Sequence, residues 1–250
     1  MDERTLSFIN LYAVLGALTE LCRLDEESRQ LIADKNVSVG FAVKNGPEAT
    51  LRFKNGVCNF TPGTERCDIK LPFGSPRKFN GLIDGSTTPI PSKGFTKIGF
   101  LLKTFTKLTD RLSMYLRPQP EQLEDADFFR TSTTMMLYVI LEAVAQIGNE
   151  DKIGRHSASY IIDGNIKVEI ADGPLGYVEA KDHRLTARHS QPESFMSFMQ
   201  YCDMTTARQL FDGKLNAVAA VGLDKVRVGG MISQVDNVNR ILDRVALYLA

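Results

Sequence analysis

Two stretches of the sequence share one nine-residue pattern. LTDRLSMYL begins at Leu108 and ILDRVALYL begins at Ile241, and both read apolar-x-Asp-Arg-apolar-x-x-Tyr-Leu. A pattern that recurs at such a distance indicates two copies of one structural unit. This constrains the fold strongly, because each copy must then build the same core from roughly half of the chain.

The residues before these two endings also match in the same order. The shared features are short apolar runs, Asn-Gly or Asp-Gly turns, a Pro-x-x-Phe group and an apolar-Asp-Gly group. We align residues 38–43 with 157–162, 51–60 with 168–177, 67–79 with 183–195, and 82–85 with 210–213. The common order favours tandem duplication over two unrelated α+β halves that share only turn chemistry. We therefore predict a first unit at residues 1–118 and a second at residues 119–250.

Each predicted copy has the same succession of local patterns. It opens with a helical stretch, TLSFINLYAVLGALTELC in the first copy and EDADFFRTSTTMMLYVILEAVAQI in the second. Short strands follow, separated by turns in which glycine adopts positive φ. Pro76 and Pro192 each begin a Pro-x-x-Phe group, which predicts the first turn of a helix. An amphipathic helix then closes each copy.

The Asp-Arg pair of the closing helix has a structural interpretation. In the second copy, Asp243 and Arg244 lie off the apolar stripe of this helix, so we predict a solvated ion pair that contributes little to stability. The pattern therefore indicates a helix used twice and not a catalytic motif. The stripe itself consists of Met231, Val235, Val238, Leu242, Val245 and Leu249.

The composition narrows the class of protein. Lys and Arg together number 30 and balance 30 Asp and Glu, while 43% of the residues are hydrophobic. These values predict a globular protein with no overall field that attracts nucleic acid. The first residues lack a signal-peptide pattern, and the apolar run at 135–141 is too short to span a bilayer. The scattered cysteines predict reduced thiols in the cytoplasm, with a Cys58–Cys67 disulfide as the alternative.

The sequence carries none of the common catalytic or cofactor signatures. It has no Gly-x-Gly-x-x-Gly, Walker, His-Glu-x-x-His or Gly-x-Ser-x-Gly motif. His183 and His189 fall on one predicted strand, about 20 Å apart at strand rise, which is too far to share a metal ion. His156 is predicted to lie in a loop. We therefore predict a protein without catalytic residues, metal or cofactor.

An apolar cluster remains as the candidate binding feature. The stretch SFMSFMQY (194–201) brings two Phe and two Met residues within two predicted helical turns, and Met204 and Phe211 follow. Such side chains form an adaptable surface for an apolar ligand. The alternative is that they fill an ordinary core.

The stretch LFDGKLNAVAAVGLDKVRVGGMISQVDNVNRIL (210–242) resembles the sterol carrier protein type 2 family. In that family a helix ends at Gly-Lys-Leu-Asn/Asp, here Gly213 to Asn216, and a short helix, a glycine, a strand and a second glycine lead into the closing helix. Here Gly222 and Gly230 match those two glycines. The first copy has GSTTPIPSKGFTKIG in place of this segment, so the resemblance is weaker there.

The resemblance implies an α+β fold with two sterol-carrier-like units. Each would be a mainly antiparallel five-stranded sheet covered by helices and preceded by a long helix. It also implies a hydrophobic tunnel for fatty acyl chains, sterols or other lipids, without bond-making activity. The expected lining is Phe195, Phe198, Met199, Phe211, Met231, Val235 and Leu242.

Three functional hypotheses follow. The leading one is intracellular binding of an apolar ligand, and the alternative is a degenerate fold that acts as a protein–protein interaction module. An enzyme acting on a lipid or an acyl thioester is the third, although no nucleophile–base arrangement supports it. A basic, Phe-rich stretch also suggests transient contact with an anionic membrane surface. Its lysines are Lys93, Lys97, Lys103 and Lys107.

Overall fold

The computed structural model describes residues 1–249 and has helices and two mixed β-sheets, which confirms the α+β prediction. The chain divides into two compact units, Met1–Thr131 and the residues from Ser132 onward. In each unit, apolar helical segments precede the sheet and an amphipathic helix follows it.

The first unit combines short capped helices with a four-stranded sheet. The carboxylate of Asp25 accepts a hydrogen bond from the Ser28 N–H and thereby caps the third helix. Its elements are α1 (Glu3–Phe8), a π-helical segment (Ile9–Leu15), α2 (Leu18–Leu24), α3 (Glu26–Leu31), β1 (Asn36–Val43), β2 (Glu48–Lys54), β3 (Val57–Pro62), β4 (Ile69–Phe73), α4 (Pro76–Ile83), a 3-10 turn (Phe95–Lys97), a second π-helical segment (Phe100–Phe105) and α5 (Thr106–Leu116).

The second unit follows the same plan with a five-stranded sheet. The carboxylate of Asp151 accepts hydrogen bonds from the Ile153 and Gly154 N–H groups and caps the helix that precedes its first strand. The 3-10 turn (Pro120–Glu124) and the start of α6 (Ala126–Glu150) still belong to the first compact unit, since the division falls within α6. The elements that follow are α7 (Lys152–Ala158), β5 (Gly164–Ile170), β6 (Leu175–Lys181), β7 (Arg184–Arg188), β8 (Ser197–Tyr201), α8 (Met204–Phe211), α9 (Ala217–Gly222), β9 (Val226–Gly230) and α10 (Ile232–Leu249).

The two sheets have the same strand order. The first is β3-β2-β1-β4 and the second is β7-β6-β5-β8-β9. In each, the first strand of the unit pairs antiparallel with the second strand and parallel with the fourth. The sheets are therefore mixed, although most of their strand pairs are antiparallel.

The prediction of five strands holds for the second sheet and is wrong for the first. Within the described residues, the edge beyond β4 carries one antiparallel bridge between Lys70 and Lys93, at the position that β9 occupies beside β8. Pro89 and Pro91 lie just before this bridge. Proline cannot donate a hydrogen bond to a strand ladder, which explains why a fifth strand does not extend along this edge.

Corresponding backbone hydrogen bonds join corresponding points of the two sheets. Val43 N–H donates to the Pro47 carbonyl at 3.1 Å, and Ile170 N–H donates to the Pro174 carbonyl at 3.0 Å. Two further hydrogen bonds of the first unit have counterparts in the second. The bond from Lys44 to Phe73 corresponds to that from Ala171 to Tyr201, and the bond from Asp68 to Ser38 corresponds to that from Met196 to Asn165.

These hydrogen bonds correct part of the sequence alignment. The β2–β3 hairpin corresponds to β6–β7, so the Asn55-Gly56 turn matches Asp182-His183 and not Asp172-Gly173. The alignment was wrong because both units contain several similar turns. The match of residues 82–85 with 210–213 agrees with the structure, since each group ends a helix with an aspartate followed by a glycine at positive φ.

The helix predicted at Pro192-x-x-Phe195 is also wrong. The SFMSFMQY stretch instead enters β8, which pairs with β5 on one side and with β9 on the other. Pairing on both edges overrides the helical spacing of the apolar residues. Asp203, after this strand, caps α8, where Ser75 caps α4 in the first unit.

One helical stretch among the described residues, Glu3–Leu24, is long and apolar enough to cross a membrane by length and composition. Most of it is buried inside the protein. The core helix of a soluble protein and a signal sequence have the same properties, so this stretch is weak evidence for a membrane span.

Candidate functional site: the helix-facing side of the second sheet

Strand β8 presents alternate side chains to the helices. Ser197 Oγ lies 2.6 Å from Gln234 Oε1 on α10 and donates a hydrogen bond to it. The Tyr201 ring contacts Phe211 at the end of α8, with ring centroids 5.5 Å apart. Met199 lies between these two residues on the same strand, so its buried side chain faces the helices as well.

The predicted residues Phe195 and Phe198 lie on the other side of this sheet. Phe198 pairs in register with Lys167 and Gly229, and a β-carbon added to Gly229 would meet the Phe198 ring. Phe195 contacts Phe198 edge to face, and Lys167 Nζ sits 4.7 Å from the centre of the Phe195 ring. These two phenylalanines therefore do not share a lining with Met199.

The other predicted lining residues lie on elements that face or border the helix side. Val235 is buried on α10, and Leu242 is half-buried two turns further along the same helix. Phe211 and Met231 are half-buried at the end of α8 and immediately before α10. Together with Met199, these residues are the part of the predicted site that remains consistent with one apolar region.

The apolar layer of the second unit is closed at one edge and open at the other. Val178 on β6 and Leu185 on β7 are fully or almost fully buried. Val228, which pairs directly with Met199 and faces the same side, is 39% exposed on the edge strand β9. The neighbouring α9 buries only Ala220, leaving its other apolar side chains in solvent. The open edge is therefore the region of β9 and α9.

The interior of the first unit is filled by a chain of phenylalanine rings. Neighbouring rings have centroids 5.1–6.3 Å apart, mostly at tilted or edge-to-face angles, which is favourable packing for aromatic groups. In order of contact, the rings are those of Phe100, Phe53, Phe105, Phe41, Phe79 and Phe73.

The second unit has small side chains at the corresponding positions. Correspondence follows from the matched sheet hydrogen bonds, from the capping residues Ser75 and Asp203, and from the shared Asp-Arg pair of the closing helices. Four rings are thereby replaced by aliphatic residues, while Phe73 corresponds to a tyrosine, Tyr201. The four replacements are Phe41 by Val168, Phe53 by Ala180, Phe79 by Ala207, and Phe105 by Val238.

Sequence reasoning missed these positions, although the signal was present. With the strands aligned correctly, the sequence would have shown that the second copy has fewer aromatic residues at these positions. The misaligned turns concealed it.

A second shared feature connects each closing helix to the start of its unit. Arg111 and Tyr115 both donate hydrogen bonds to the buried carboxylate of Asp25, at 2.8–2.9 Å. In the second unit the buried Asp151 receives the same pair of donors, Arg244 and Tyr248, each at 2.8 Å. The predicted solvated role of Arg244 is therefore wrong, because the arginine turns toward a buried cap residue.

These contacts determine the ionisation of the two aspartates. Burial raises the pKa of Asp25, but hydrogen bonds from Arg111, Ser28 and Tyr115 outweigh it and lower the pKa to about 2. The pKa of Asp151 is lowered in the same way, because hydrogen bonds from Arg244, Gly154 and Tyr248 outweigh its burial. Both carboxylates are thus charged near neutral pH.

A third ionisable group lies on α6 in the second unit. Burial raises the pKa of Glu142 to about 7, against the opposing effect of His189 and Arg188. Glu142 Oε1 lies 3.9 Å from His189 Nε2, and the imidazole stacks on the Tyr138 ring with centroids 4.1 Å apart.

Glu142→Gln is expected to change how stability depends on pH. A carboxyl group with a raised pKa stabilises the folded state below its unfolded pKa of about 4.3, and this contribution is lost as pH rises toward 7. Above pH 7 the variant should therefore be more stable than the wild type by about 1–2 kcal/mol, with no difference at pH 4. Urea unfolding across this range measures it, with the exposed Glu193→Gln as control. Equal stability of Glu142→Gln and wild type at pH 8 would contradict it.

Among the described residues, no group of three or more His, Cys, Asp or Glu residues could hold a metal ion. Of the four cysteines, Cys22, Cys58 and Cys67 are buried and Cys202 is exposed, and all are free thiols.

Comparison with family models finds no match, and comparison with curated proteins finds none either. Solved structures similar to this chain include sterol carrier protein 2 domains, the family that the sequence resembles. The domain from Helicoverpa armigera has 13% identity and a TM-score of 0.37, covering 44% of this chain and 88% of its own. The apo protein from Yarrowia lipolytica has 18% identity and a TM-score of 0.32, covering 42% and 88%.

A third such structure, sterol carrier protein 2 like 2 from Aedes aegypti, has 11% identity and a TM-score of 0.30, covering 41% of this chain and 92% of its own. These likenesses concern the fold alone. The argument for function is therefore based on the residues of the second unit.

Proposed function

We propose that the second unit binds an apolar ligand, such as a fatty acyl chain, a sterol-like molecule or another lipid, without catalysing a reaction. The ligand would lie between the helix-facing side of the sheet and helices α8 and α10. The observation that carries this proposal is the replacement of four core phenylalanines of the first unit by Val168, Ala180, Ala207 and Val238. The second unit thus lacks ring volume that the first unit has at these positions, and the proposal is that a ligand takes its place.

Burial of a hydrocarbon chain supplies the affinity that such a site needs. Each buried methylene contributes about 0.8 kcal/mol, so a long acyl chain binds without many polar contacts. Entry at the edge of β9 and α9 is supported by the exposed Val228 and by the shallow packing of α9. Met199, Phe211, Met231, Val235 and Leu242 form the proposed lining.

We propose further that the two units arose by tandem duplication and that the first no longer binds a ligand. The shared strand order, the matched sheet hydrogen bonds and the repeated Arg–Tyr–Asp contacts support the first statement. The filled aromatic interior supports the second. Cytoplasmic ligand carriage, with transient contact at a membrane surface for delivery, remains part of the proposal.

Native mass spectrometry of the protein purified from cells tests ligand binding directly. We expect a population whose mass exceeds that of the chain by one lipid, which dissociates on collisional activation. A mass equal to the chain alone, together with no uptake of a fluorescent fatty acid, would favour the alternative of a protein–protein interaction module.

Met199→Trp and Phe198→Trp form a matched pair that locates the site. The two residues are neighbours on β8 but face opposite sides of the sheet. We expect Met199→Trp to weaken binding of a fluorescent fatty acid by about tenfold or more, because the larger ring occupies ligand volume. Phe198→Trp should leave the affinity nearly unchanged. The reverse result in a titration would contradict the proposed location.

A further inference from the structure

The chain between α4 and the first turn of α5 in the first unit exposes several large apolar side chains. Phe95 is 62% exposed and Leu102 is 70% exposed, and Ile90 and Ile98 are exposed as well. Large apolar side chains exposed within one short segment are typical of a contact with a membrane or another molecule. We call residues 90–107 the docking segment.

The backbone of the docking segment explains why Leu102 faces outward. Residues Phe100–Phe105 form a π-helical segment, in which residues five apart lie on one side. Phe100 and Phe105 both contact the core ring of Phe53, with centroids 5.2 and 6.3 Å away. Leu102 and Lys103, which lie between these two anchors, are therefore turned to solvent.

The charges of the docking segment are all positive. No acidic residue occurs between Asp84 and Asp110. Lys93 and Lys97 are engaged within the protein: Lys93 Nζ donates to the Cys67 carbonyl at 2.8 Å, and Lys97 Nζ lies 2.9 Å from Asp68 Oδ1. They fasten the segment to the sheet and leave Lys103 and Lys107 as its outward charges.

We propose that the docking segment binds the surface of an anionic bilayer. Phe95, Ile98 and Leu102 enter the interface between headgroups and acyl chains, while Lys103 and Lys107 face the anionic headgroups. This assigns membrane contact to the first unit and ligand carriage to the second. Membrane binding is supported by the docking segment itself. Only its use, the delivery of an apolar ligand to or from a membrane, rests on the proposed function.

Charge complementarity favours a bilayer over a second copy of the chain. A symmetric dimer through the docking segment would bring Lys103 and Lys107 close to the same residues of its partner, and like charges repel. An anionic bilayer supplies the opposite charge and an apolar layer at the same surface.

Co-sedimentation of the full chain with vesicles tests the proposal. We expect binding to phosphatidylcholine vesicles that contain phosphatidylserine at low salt, and clearly weaker binding at high salt or without phosphatidylserine. Phe95→Ser with Leu102→Ser should reduce the bound fraction by about tenfold. Lys103→Gln with Lys107→Gln should remove most of the salt dependence.

Val218→Ser with Ile232→Ser is the matched control, because these side chains of the second unit are each 81% exposed. It should leave vesicle binding unchanged. All variants are also tested for uptake of a fluorescent fatty acid and for thermal midpoint. The two docking-segment variants change only exposed side chains of the first unit, so they should alter neither fatty acid uptake nor the thermal midpoint.

Absence of vesicle binding at low salt would overturn the proposal, as would binding that both docking-segment variants leave intact. A concentration-dependent dimer that Leu102→Ser abolishes would assign the surface to a second copy instead. If the wild-type chain takes up fatty acid but does not bind vesicles, only the membrane proposal is refuted. If it binds vesicles but takes up no fatty acid, only the proposed ligand binding is refuted.

Discussion

Asp151→Ala is expected to lower the free energy of unfolding by about 3–5 kcal/mol. The substitution removes a buried carboxylate that receives hydrogen bonds from Arg244 and Tyr248 and that also caps α7. Arg244 would be left partly buried without its counterion, and α7 would lose its cap, which alone contributes about 1 kcal/mol. Chemical denaturation of wild type and variant at neutral pH measures the difference.

Asp243→Ala is the control for this prediction. Asp243 is adjacent to Arg244 in the shared motif but is exposed, so its removal should change stability by less than about 0.5 kcal/mol. Asp25→Ala should have the same large effect in the first unit. Because the pKa of Asp25 is lowered to about 2, its stabilising contribution should be lost as pH falls from about 4 toward 2. If Asp151→Ala and Asp243→Ala proved equally mild, the Arg–Tyr–Asp contact would have no energetic importance.

Exchange of the core residues should have opposite consequences in the two units. Phe79→Ala is expected to destabilise the first unit by about 3–5 kcal/mol, because it removes a buried ring that contacts Phe41 and Phe73. Ala207→Phe introduces a ring at the corresponding position of the second unit. If that unit has room for a ligand, the ring should reduce fatty acid affinity by about tenfold or more and change the thermal midpoint of the ligand-free protein little.

The stability of Ala207→Phe separates the proposed function from its alternative. In a filled interior, the added ring would overpack the core and cost about 1–3 kcal/mol. There would then be no ligand affinity to lose. Thermal unfolding and fatty acid titration of the same purified variant therefore measure both quantities, and a destabilised variant with unchanged ligand affinity would count against a site at Ala207.

The sequence was sufficient for the fold class and for the turns that depend on local chemistry. The Asn55-Gly56 turn joins β2 to β3, and Pro76 starts α4, because positive φ and a fixed φ at these positions are local requirements. The resemblance at residues 210–242 likewise indicated the short helix, the strand and the closing helix that the structure has there as α9, β9 and α10.

Features that depend on distant residues could not be predicted in this way. Residues 197–201 form a strand because β5 and β9 provide hydrogen-bonding partners on both edges, and neither partner is visible in the local spacing. For the same reason, Phe198 and Met199 were predicted to share one lining although the strand places them on opposite sides. Arg244 was predicted to be solvated because Asp151, its partner, lies far earlier in the chain.

The Arg–Tyr–Asp contacts also set the order in which each unit can complete its folding during synthesis. Tyr115 is the next-to-last residue of α5, and Tyr248 holds the same place in α10, whereas their aspartate partners precede the first strand. The hydrogen bonds from the arginine and tyrosine to each capping aspartate can form only after nearly the whole unit has left the ribosome. The first unit can make this contact while the second is still being translated, so the two closures occur one after the other.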